Sequence, residues 1–173
     1  TTMQMGVGLD DGDMLLKEEV VLREDETGGS LFDRLAEVGG ALCVKTIEGL
    51  AEGSITPIPQ DEAQATHVGM IKKSMGNLDF SRSAVELERL VRGLNPWPSA
   101  YTHLGNKTLK VWKARVDTET KTEAQPGEVV SSDASGIAVA TGEGLFVMEE
   151  IQLEGKKRMC VADFLRGRDI PVG

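Results

Sequence analysis

Residues 79–98 have the sequence DFSRSAVELERLVRGLNPWP, and this stretch separates two parts of the chain that differ in character. Ser83 and Glu86 have the spacing of a capping box, in which each side chain accepts a hydrogen bond from the other residue's backbone N–H. Pro96 disfavours helical geometry at the residue before it, so we expect the helix to end near Leu94. The spacing predicts one helix over residues 83–94, whose buried stripe is Val85, Leu87, Leu90, Val91 and Leu94.

A stiff exit follows the helix, because Pro96 and Pro98 restrict the backbone on both sides of Trp97. We expect Trp97 to be buried against the helix or against the domain that follows. The chain before the helix is acidic and has an α/β pattern, whereas the chain after it is nearly neutral and rich in strand patterns.

Charge is distributed unevenly along the 173 residues, whose formal net charge is −9. Residues 1–74 hold 6 Lys and Arg against 14 Asp and Glu, a balance of −8, whereas residues 75–173 hold 13 against 14, a balance of −1. An acidic chain as a whole argues against nucleic acid as a partner, but a near-neutral domain can carry one basic face. Charges or glycines interrupt every apolar run before 18 residues, so the sequence predicts no membrane span and no membrane partner.

Residues 1–54 have the pattern of an α/β fragment. Strand-like runs at residues 1–5 and 14–22 flank an acidic, glycine-rich loop. Ser30 is a good N-cap for a helix that Gly39-Gly40 would kink or divide. The apolar stripe of that helix is Leu31, Leu35, Val38, Leu42, Ile47 and Leu50. Two strands and one helix cannot cover both faces of a sheet, so we expect exposed apolar faces and further chain before Thr1.

Residues 55–77 contain two prolines and a polar run, which is typical of a linker. Residues 78–173 contain short strand patterns at regular spacing, a tight turn at Gly105-Asn106 and a short terminal helix over residues 161–166. The expected strands are residues 99–104, 108–116, 128–131, 137–140 and 145–153. The predicted fold class is an α/β fragment followed by an all-β, OB-like barrel.

Two sets of charged residues are candidates for a functional site. Asp10, Asp11 and Asp13 share a loop, where carboxylates can orient a histidine, steer a proton or bind a metal; spacing alone favours a solvated acidic turn. The second set is basic, and a solvated surface and a phosphate-contacting face explain it equally well. Its members are Lys110 and Lys113 on a hairpin arm, Lys156, Lys157 and Arg158 on a turn, and Lys72 and Lys73 in the linker.

Six motifs, in order along nearly the whole chain, resemble the methionyl-tRNA formyltransferase family. They are MQMGVGLDDGDML, ETGGSLFDRLAEVG, QDEAQATHVGMIKK, LDFSRSAVELERLVRGLNPWPSAYT, LKVWKARV and GKKRMCVADFLRG. The resemblance implies transfer of a formyl group from 10-formyltetrahydrofolate to methionyl-initiator tRNA in translation initiation. It implies a Rossmann-like N-terminal domain, an OB-type C-terminal domain that helps to hold tRNA, no metal, and a monomer in the cytoplasm or an organellar matrix.

The resemblance also assigns site residues. The family's catalytic set is an asparagine, a histidine and an aspartate, and the aspartate corresponds to Asp10. Leu9, Asp10 and Asp11 lie in the motif beside the folate pocket, although Asp11 stands where threonine is usual and Gly6 where an acidic residue is common. The asparagine–histidine motif and the SLLPxxRGxxP loop do not occur in this sequence. We therefore expect the chain to be the C-terminal portion of such an enzyme and to be inactive alone.

Two alternative functions are open at this stage. UDP-aminoarabinose-type formyltransferases share the transferase fold and a PWP-containing C-terminal subdomain, but GKKRM and QDEAQAT resemble the tRNA enzymes more closely. The chain could instead serve as a tRNA-binding module only.

Overall fold

The computed structural model describes residues 1–173 and contains two compact units. The first unit comprises Thr1–Glu26 and Ser30–Met70, and the second comprises Thr27–Gly29 and Ile71–Gly173. The sequence predicts the end of a catalytic domain at residues 1–54, a linker at 55–77 and a second domain at 78–173, and this functional division stays a prediction.

The first unit contains little regular structure besides one long helix. Strands β1 (Thr2–Met3) and β2 (Met14–Leu16) pair antiparallel, and both are shorter than the runs 1–5 and 14–22 that the sequence predicts. Charged residues follow directly after Leu16, and only two residues of β1 are available as pairing partners. Helix α1 (Gly28–Glu52) is continuous, so Gly39-Gly40 does not divide it. None of the helices has the length and apolarity needed to cross a membrane.

Most of the apolar stripe of α1 is not buried, as expected for a helix that two short strands cannot cover. Leu42 is buried, but Leu35, Ile47 and Leu50 are exposed, and the other buried positions of the helix are Thr46 and Gly49. Small residues occupy these positions because neighbouring chain approaches closely: the hydroxyls of Thr2 and Thr46 lie 2.8 Å apart. A Cβ atom at Gly49 would lie 2.8 Å from the side chain of Ile55. The exposed leucines and isoleucine agree with the expectation that two short strands and a helix cannot bury their apolar faces alone.

The second unit is built on a six-stranded antiparallel sheet with the order β3-β4-β7-β6-β5, in which β8 pairs with β7. No ladder joins β3 to β5, so the sheet is open along its hydrogen bonds and a closed OB-like barrel is not shown. Five strands follow the predicted runs closely: β3 (Ala100–Leu104), β4 (Lys107–Asp117), β5 (Val129–Asp133), β6 (Gly136–Ala140) and β7 (Leu145–Leu153). No predicted run covers the short strand β8 (Met159–Cys160). Helix α3 (Val161–Leu165) closes the unit.

Helix α2 (Ala84–Gly93) forms where the sequence predicts it, but Val85 of the predicted buried stripe is exposed. The hydroxyl of Ser83 accepts a hydrogen bond from the Glu86 N–H at 3.3 Å, and the Glu86 carboxylate accepts one from the Ser83 N–H at 3.2 Å. Leu87 and Val91 are 0% and 1% exposed, and α2 packs against β4 and β7. The core beneath it includes Phe146 and other residues of β4, β6 and β7.

The exit from α2 differs from the prediction, because Trp97 is 59% exposed. Backbone hydrogen bonds, rather than a buried indole, fix the chain here. The Ser99 N–H donates to the Leu94 carbonyl at 2.9 Å, and the Gly29 N–H donates to the Asn95 carbonyl at 2.8 Å. The core of the sheet is already filled by Phe146 and its neighbours, so the exit leaves the indole outside it.

The capping box of α2 makes part of the stability of the fold depend on pH. The pKa of Glu86 is lowered from its ordinary value of 4.5 to about 2, chiefly by the hydrogen bond from the Arg82 side chain and then by those from the Ser83 N–H and hydroxyl. A carboxyl whose pKa is depressed by folding stabilises the fold above its unfolded pKa and loses that contribution as the pH falls through the folded value. The helix cap should therefore weaken between about pH 4.5 and pH 2.

We expect Glu86→Gln to flatten this part of the pH–stability curve, because glutamine keeps the capping box but does not titrate. The measurement is the thermal midpoint of the wild-type chain and the variant from pH 7 to pH 2. Glu123→Gln, at an exposed loop position, is the matched control for the change in charge. Curves for wild type and Glu86→Gln that run parallel over the whole range would contradict the assignment.

Candidate functional site

The acidic loop between β1 and β2 places the Asp10 carboxylate at the surface without a partner within the chain. Asp10 has a φ of +55°, in the left-handed region that residues other than glycine rarely adopt. The neighbouring Asp11 folds back on the loop, where its carboxylate accepts a hydrogen bond from the Gly8 N–H at 2.9 Å. The loop is closed by a bond from the Gln4 N–H to the Asp13 carbonyl at 2.8 Å. The Asp11 carboxylate is thus engaged within the loop, whereas the Asp10 carboxylate is available to another group.

A pocket of about 460 Å³ lies beside this loop in the first unit. It brings together the three residues predicted to lie at the folate pocket and a segment that sequence reasoning did not include in the site. Its lining consists of Leu9, Asp10, Asp11, Met14, Lys17, Pro59, Gln60, Asp61, Glu62, Gln64 and Ala65. This segment contains QDEAQAT at residues 60–66, which is part of a motif that carries the family resemblance. That motif could have placed the segment in the site, but the composition of residues 55–77 predicts a linker.

Segment 58–64 is held against the loop by backbone and side-chain hydrogen bonds. Ile58 and Met14 exchange both backbone hydrogen bonds at 2.8 Å. The side-chain amide of Gln60 donates to the Asp10 carbonyl at 2.7 Å and to the Gly12 carbonyl at 2.8 Å. The predicted linker is therefore ordered at its start and forms one wall of the pocket.

Trp112 organises a basic group of residues on the sheet of the second unit. Its half-buried ring lies 5.6 Å from the Lys110 ammonium and 5.1 Å from the Arg158 guanidinium. The indole N–H donates to the Gln152 side chain at 3.1 Å, and Gln152 in turn donates to the Lys156 carbonyl at 3.0 Å. We call these five residues the Trp112 cluster. The contacts of Trp112 with Lys110 and with the turn at residues 154–158 were not predicted from the sequence.

The predicted phosphate-binding residues differ in how free their charges are. The Arg158 guanidinium is paired with Glu150, to which its Nε donates at 2.8 Å. The Lys113 ammonium lies 3.1 Å from one carboxylate oxygen of Glu149, and the Arg115 Nε lies 3.5 Å from the other. Lys156 and Lys157 are exposed and form no ion pair, and Lys72 and Lys73 are exposed beside the short 3₁₀ turn Lys73–Gly76. The structure thus places the side chains of Lys110 and Arg158 against the Trp112 ring and ties in Lys156 through its backbone carbonyl. Lys157, Lys113, Lys72 and Lys73 lie outside the cluster.

Comparison with protein families identifies the second unit. Residues 70–169 match the family described as "Formyl transferase, C-terminal domain". A methionyl-tRNA formyltransferase from Lachnospira eligens is 53% identical to this chain over 177 residues, which cover 100% of the chain and 56% of that protein. The chain therefore spans little more than half the length of the curated relatives that it matches.

Solved structures support the same fold at low sequence identity. HypX from Aquifex aeolicus, solved in complex with tetrahydrofolic acid, has a TM-score of 0.65 and 17% identity over 94% of this chain and 29% of its own. Methionyl-tRNA formyltransferase from Clostridium thermocellum has a TM-score of 0.54 and 19% identity over 68% of this chain and 50% of its own. At these identities the likeness concerns the fold alone.

Proposed function

The chain belongs to the formyl transferase C-terminal domain family, and we propose that it acts as part of a methionyl-tRNA formyltransferase. The proposed reaction transfers a formyl group from 10-formyltetrahydrofolate to the amino group of methionyl-initiator tRNA. The observation that carries the proposal is the name shared by relatives about half identical to the whole chain. The free carboxylate of Asp10 at a pocket and the basic Trp112 cluster fit the two substrates that this reaction requires.

Asp10 is the proposed catalytic residue within this chain. In the reaction the amine of the methionyl ester attacks the formyl carbon, a tetrahedral intermediate forms, and N10 of tetrahydrofolate leaves as it gains a proton while the amine loses one. The asparagine and histidine of the family would stabilise the developing oxyanion, and the Asp10 carboxylate would orient and charge-stabilise the imidazole. A carboxylate at this position can also accept the amine proton through water.

We place the formyl donor beside the Asp10 loop. Leu9 would supply apolar contact to the folate, and the backbone of Asp10 and Asp11 would shape the wall of its pocket. The folded-back carboxylate of Asp11 is held by the Gly8 N–H, so a residue unusual for the family at this position is accommodated within the loop itself. The site calls for no metal ion, since the chemistry is an acyl transfer that hydrogen-bond donors can support.

The Trp112 cluster and its turn are the proposed tRNA contact of the second unit. Lys156 and Lys157 are the first candidates because their charges are exposed and unpaired. Lys110 is the next candidate, because it lies beside the Trp112 indole. Arg158 and Lys113 are each paired with a glutamate and would have to exchange that partner for a phosphate. Lys72 and Lys73 are secondary candidates. We interpret the six-stranded sheet with its covering helix as an OB-type domain and the first unit as the end of a Rossmann-like domain.

Two alternatives are less well supported. A UDP-aminoarabinose-type formyltransferase would share the first unit's pocket, but a sugar nucleotide gives no reason for a basic cluster on the sheet. A chain that only binds tRNA would need no free carboxylate at a pocket. We also propose that the protein acts as a monomer in the cytoplasm or an organellar matrix, as expected for a translation enzyme.

The first functional prediction concerns chemistry. In the complete enzyme, Asp10→Asn should lower kcat by a large factor, on the order of 100-fold or more, while the Kd for methionyl-initiator tRNA stays nearly unchanged. The measurement is single-turnover formyl transfer together with tRNA binding. The 173-residue chain, whose sequence lacks the family's asparagine–histidine motif, should give no turnover above a buffer control. Equal losses of rate and of tRNA affinity in Asp10→Asn would show that the residue is structural.

The second functional prediction concerns phosphate contacts. Each neutralised phosphate releases counterions, so removing two contacts should flatten the log–log dependence of tRNA affinity on salt by about two units. We expect this for the Lys156→Ala/Lys157→Ala double variant, and initiator and elongator tRNA should be weakened alike. Lys45→Ala/Lys121→Ala removes the same charge from exposed positions outside the Trp112 cluster and serves as the control. If the two double variants gave the same slope, the turn at residues 154–158 would not contact tRNA.

A further inference from the structure

We propose that Gln60 is a positioning residue for the Asp10 carboxylate, an inference that rests on the proposed catalytic role of Asp10. The carboxylate has no partner within the chain, so the backbone of its loop decides where it stands. One side chain holds that backbone from outside the loop. The Gln60 amide donates its two N–H groups to the carbonyls of Asp10 and Gly12, at 2.7 Å and 2.8 Å.

The loop needs such an external restraint because of the conformation of Asp10. The left-handed conformation is sparsely populated by residues with a Cβ atom, although aspartate adopts it more often than most, so bonds from its surroundings help to hold it. Neighbouring backbone already crowds the loop, since a Cβ atom at Gly12 would lie 1.6 Å from the Gln4 carbonyl oxygen. The carbonyls of Asp10 and Gly12 flank the reversal of the chain, and the Gln60 amide ties them together. These two hydrogen bonds therefore set the direction of the Asp10 side chain, although neither of them involves its carboxylate.

Gln60 is itself well anchored and chemically suited to this task. It lies two residues after Ile58, whose backbone is paired with Met14 at the start of β2. It also lies directly before Asp61, whose carboxylate caps the 3₁₀ turn by accepting from the Ala63 N–H at 3.0 Å. A primary amide offers two N–H donors from one nitrogen, whereas the isosteric glutamate offers none when ionised. Both flanks of Gln60 are therefore fixed, and its end group matches two carbonyl acceptors.

The proposed consequence is a loss of chemistry without a loss of tRNA binding. Misplacing a reacting group by about 1 Å can cost on the order of 100-fold in rate. The residues proposed to bind tRNA phosphates belong to the other compact unit, so we expect the affinity for tRNA to survive changes at the Asp10 loop. Because Gln60 would act only through Asp10, its removal should matter little once Asp10 has lost its charge.

The test uses the complete enzyme with Gln60→Met, which keeps the shape of the side chain and removes both donors, and Gln60→Glu, which places an acceptor there. Gln125→Met is the matched control, because Gln125 is exposed in a loop of the second unit and does not line the pocket. We expect kcat to fall about 100-fold for both Gln60 variants, KM for methionyl-tRNA to stay within about twofold, and Gln125→Met to behave like wild type. Gln60→Met in the Asp10→Asn background should cost less than about threefold more.

The outcomes separate this inference from the proposed function. If Asp10→Asn retained full activity, both the role of Asp10 and the inference would be overturned. If Asp10→Asn lost activity and Gln60→Met matched Gln125→Met, the inference alone would fail. Should both Gln60 variants lower the thermal midpoint well beyond Gln125→Met, or add their full loss in the Asp10→Asn background, Gln60 would be structural and the inference equally wrong.

Discussion

The burial of Leu87 and Val91 between helix α2 and the sheet is the contact on which the second unit depends. The sheet is open along its hydrogen bonds, and α2 is the element that covers β4 and β7, its longest strands. Backbone bonds hold the helix in place at its start: the Ala84 N–H donates to the Glu143 carbonyl at 2.9 Å, and the Gly142 N–H lies 2.9 Å from the carbonyls of both Phe80 and Arg82. Because the helix is fixed at its start and at its exit, the long β4–β7 pair can present its outer face to a ligand without exposing the core.

The arrangement of Trp112 and the charged residues on that outer face depends on a bulge in β4. Lys110 lies opposite Gln152 in the ladder, but the register shifts between Val111 and Lys113. A bulge places two successive residues on one side of a strand, here the half-buried Trp112 and the exposed Lys113. Strict alternation would instead put Lys113 on the same face as the buried Val111. The bulge is what allows Trp112 to join Lys110 and the turn 154–158 while Lys113 pairs with Glu149.

Local patterns predicted the second unit well and the first unit poorly, for physical reasons. The capping box, the helical stripe and the turn residues of the second unit are local signals, and α2, the Gly105 turn and the β7 strand form where they predict. In the first unit the strands are shorter than predicted, and Leu35 and Ile47 of the α1 stripe stay exposed because two short strands cannot cover them, as expected for residues 1–54. Gln60 and Trp112 were missed because their contacts join residues about 40 to 50 positions apart, as in the Gln60–Asp10 and Trp112–Gln152 hydrogen bonds.

The central claim is a division of labour, in which the Asp10 loop serves the chemistry and the turn at residues 154–158 serves tRNA binding. A double-mutant cycle in the complete enzyme tests it most directly, by measuring kcat/KM for Asp10→Asn, for Lys156→Ala/Lys157→Ala and for the combined variant. If the two sites act independently, the loss in the combined variant equals the product of the separate losses, within about twofold. A combined loss that departs from that product by about tenfold or more would show that the two sites act as one, and would contradict the account.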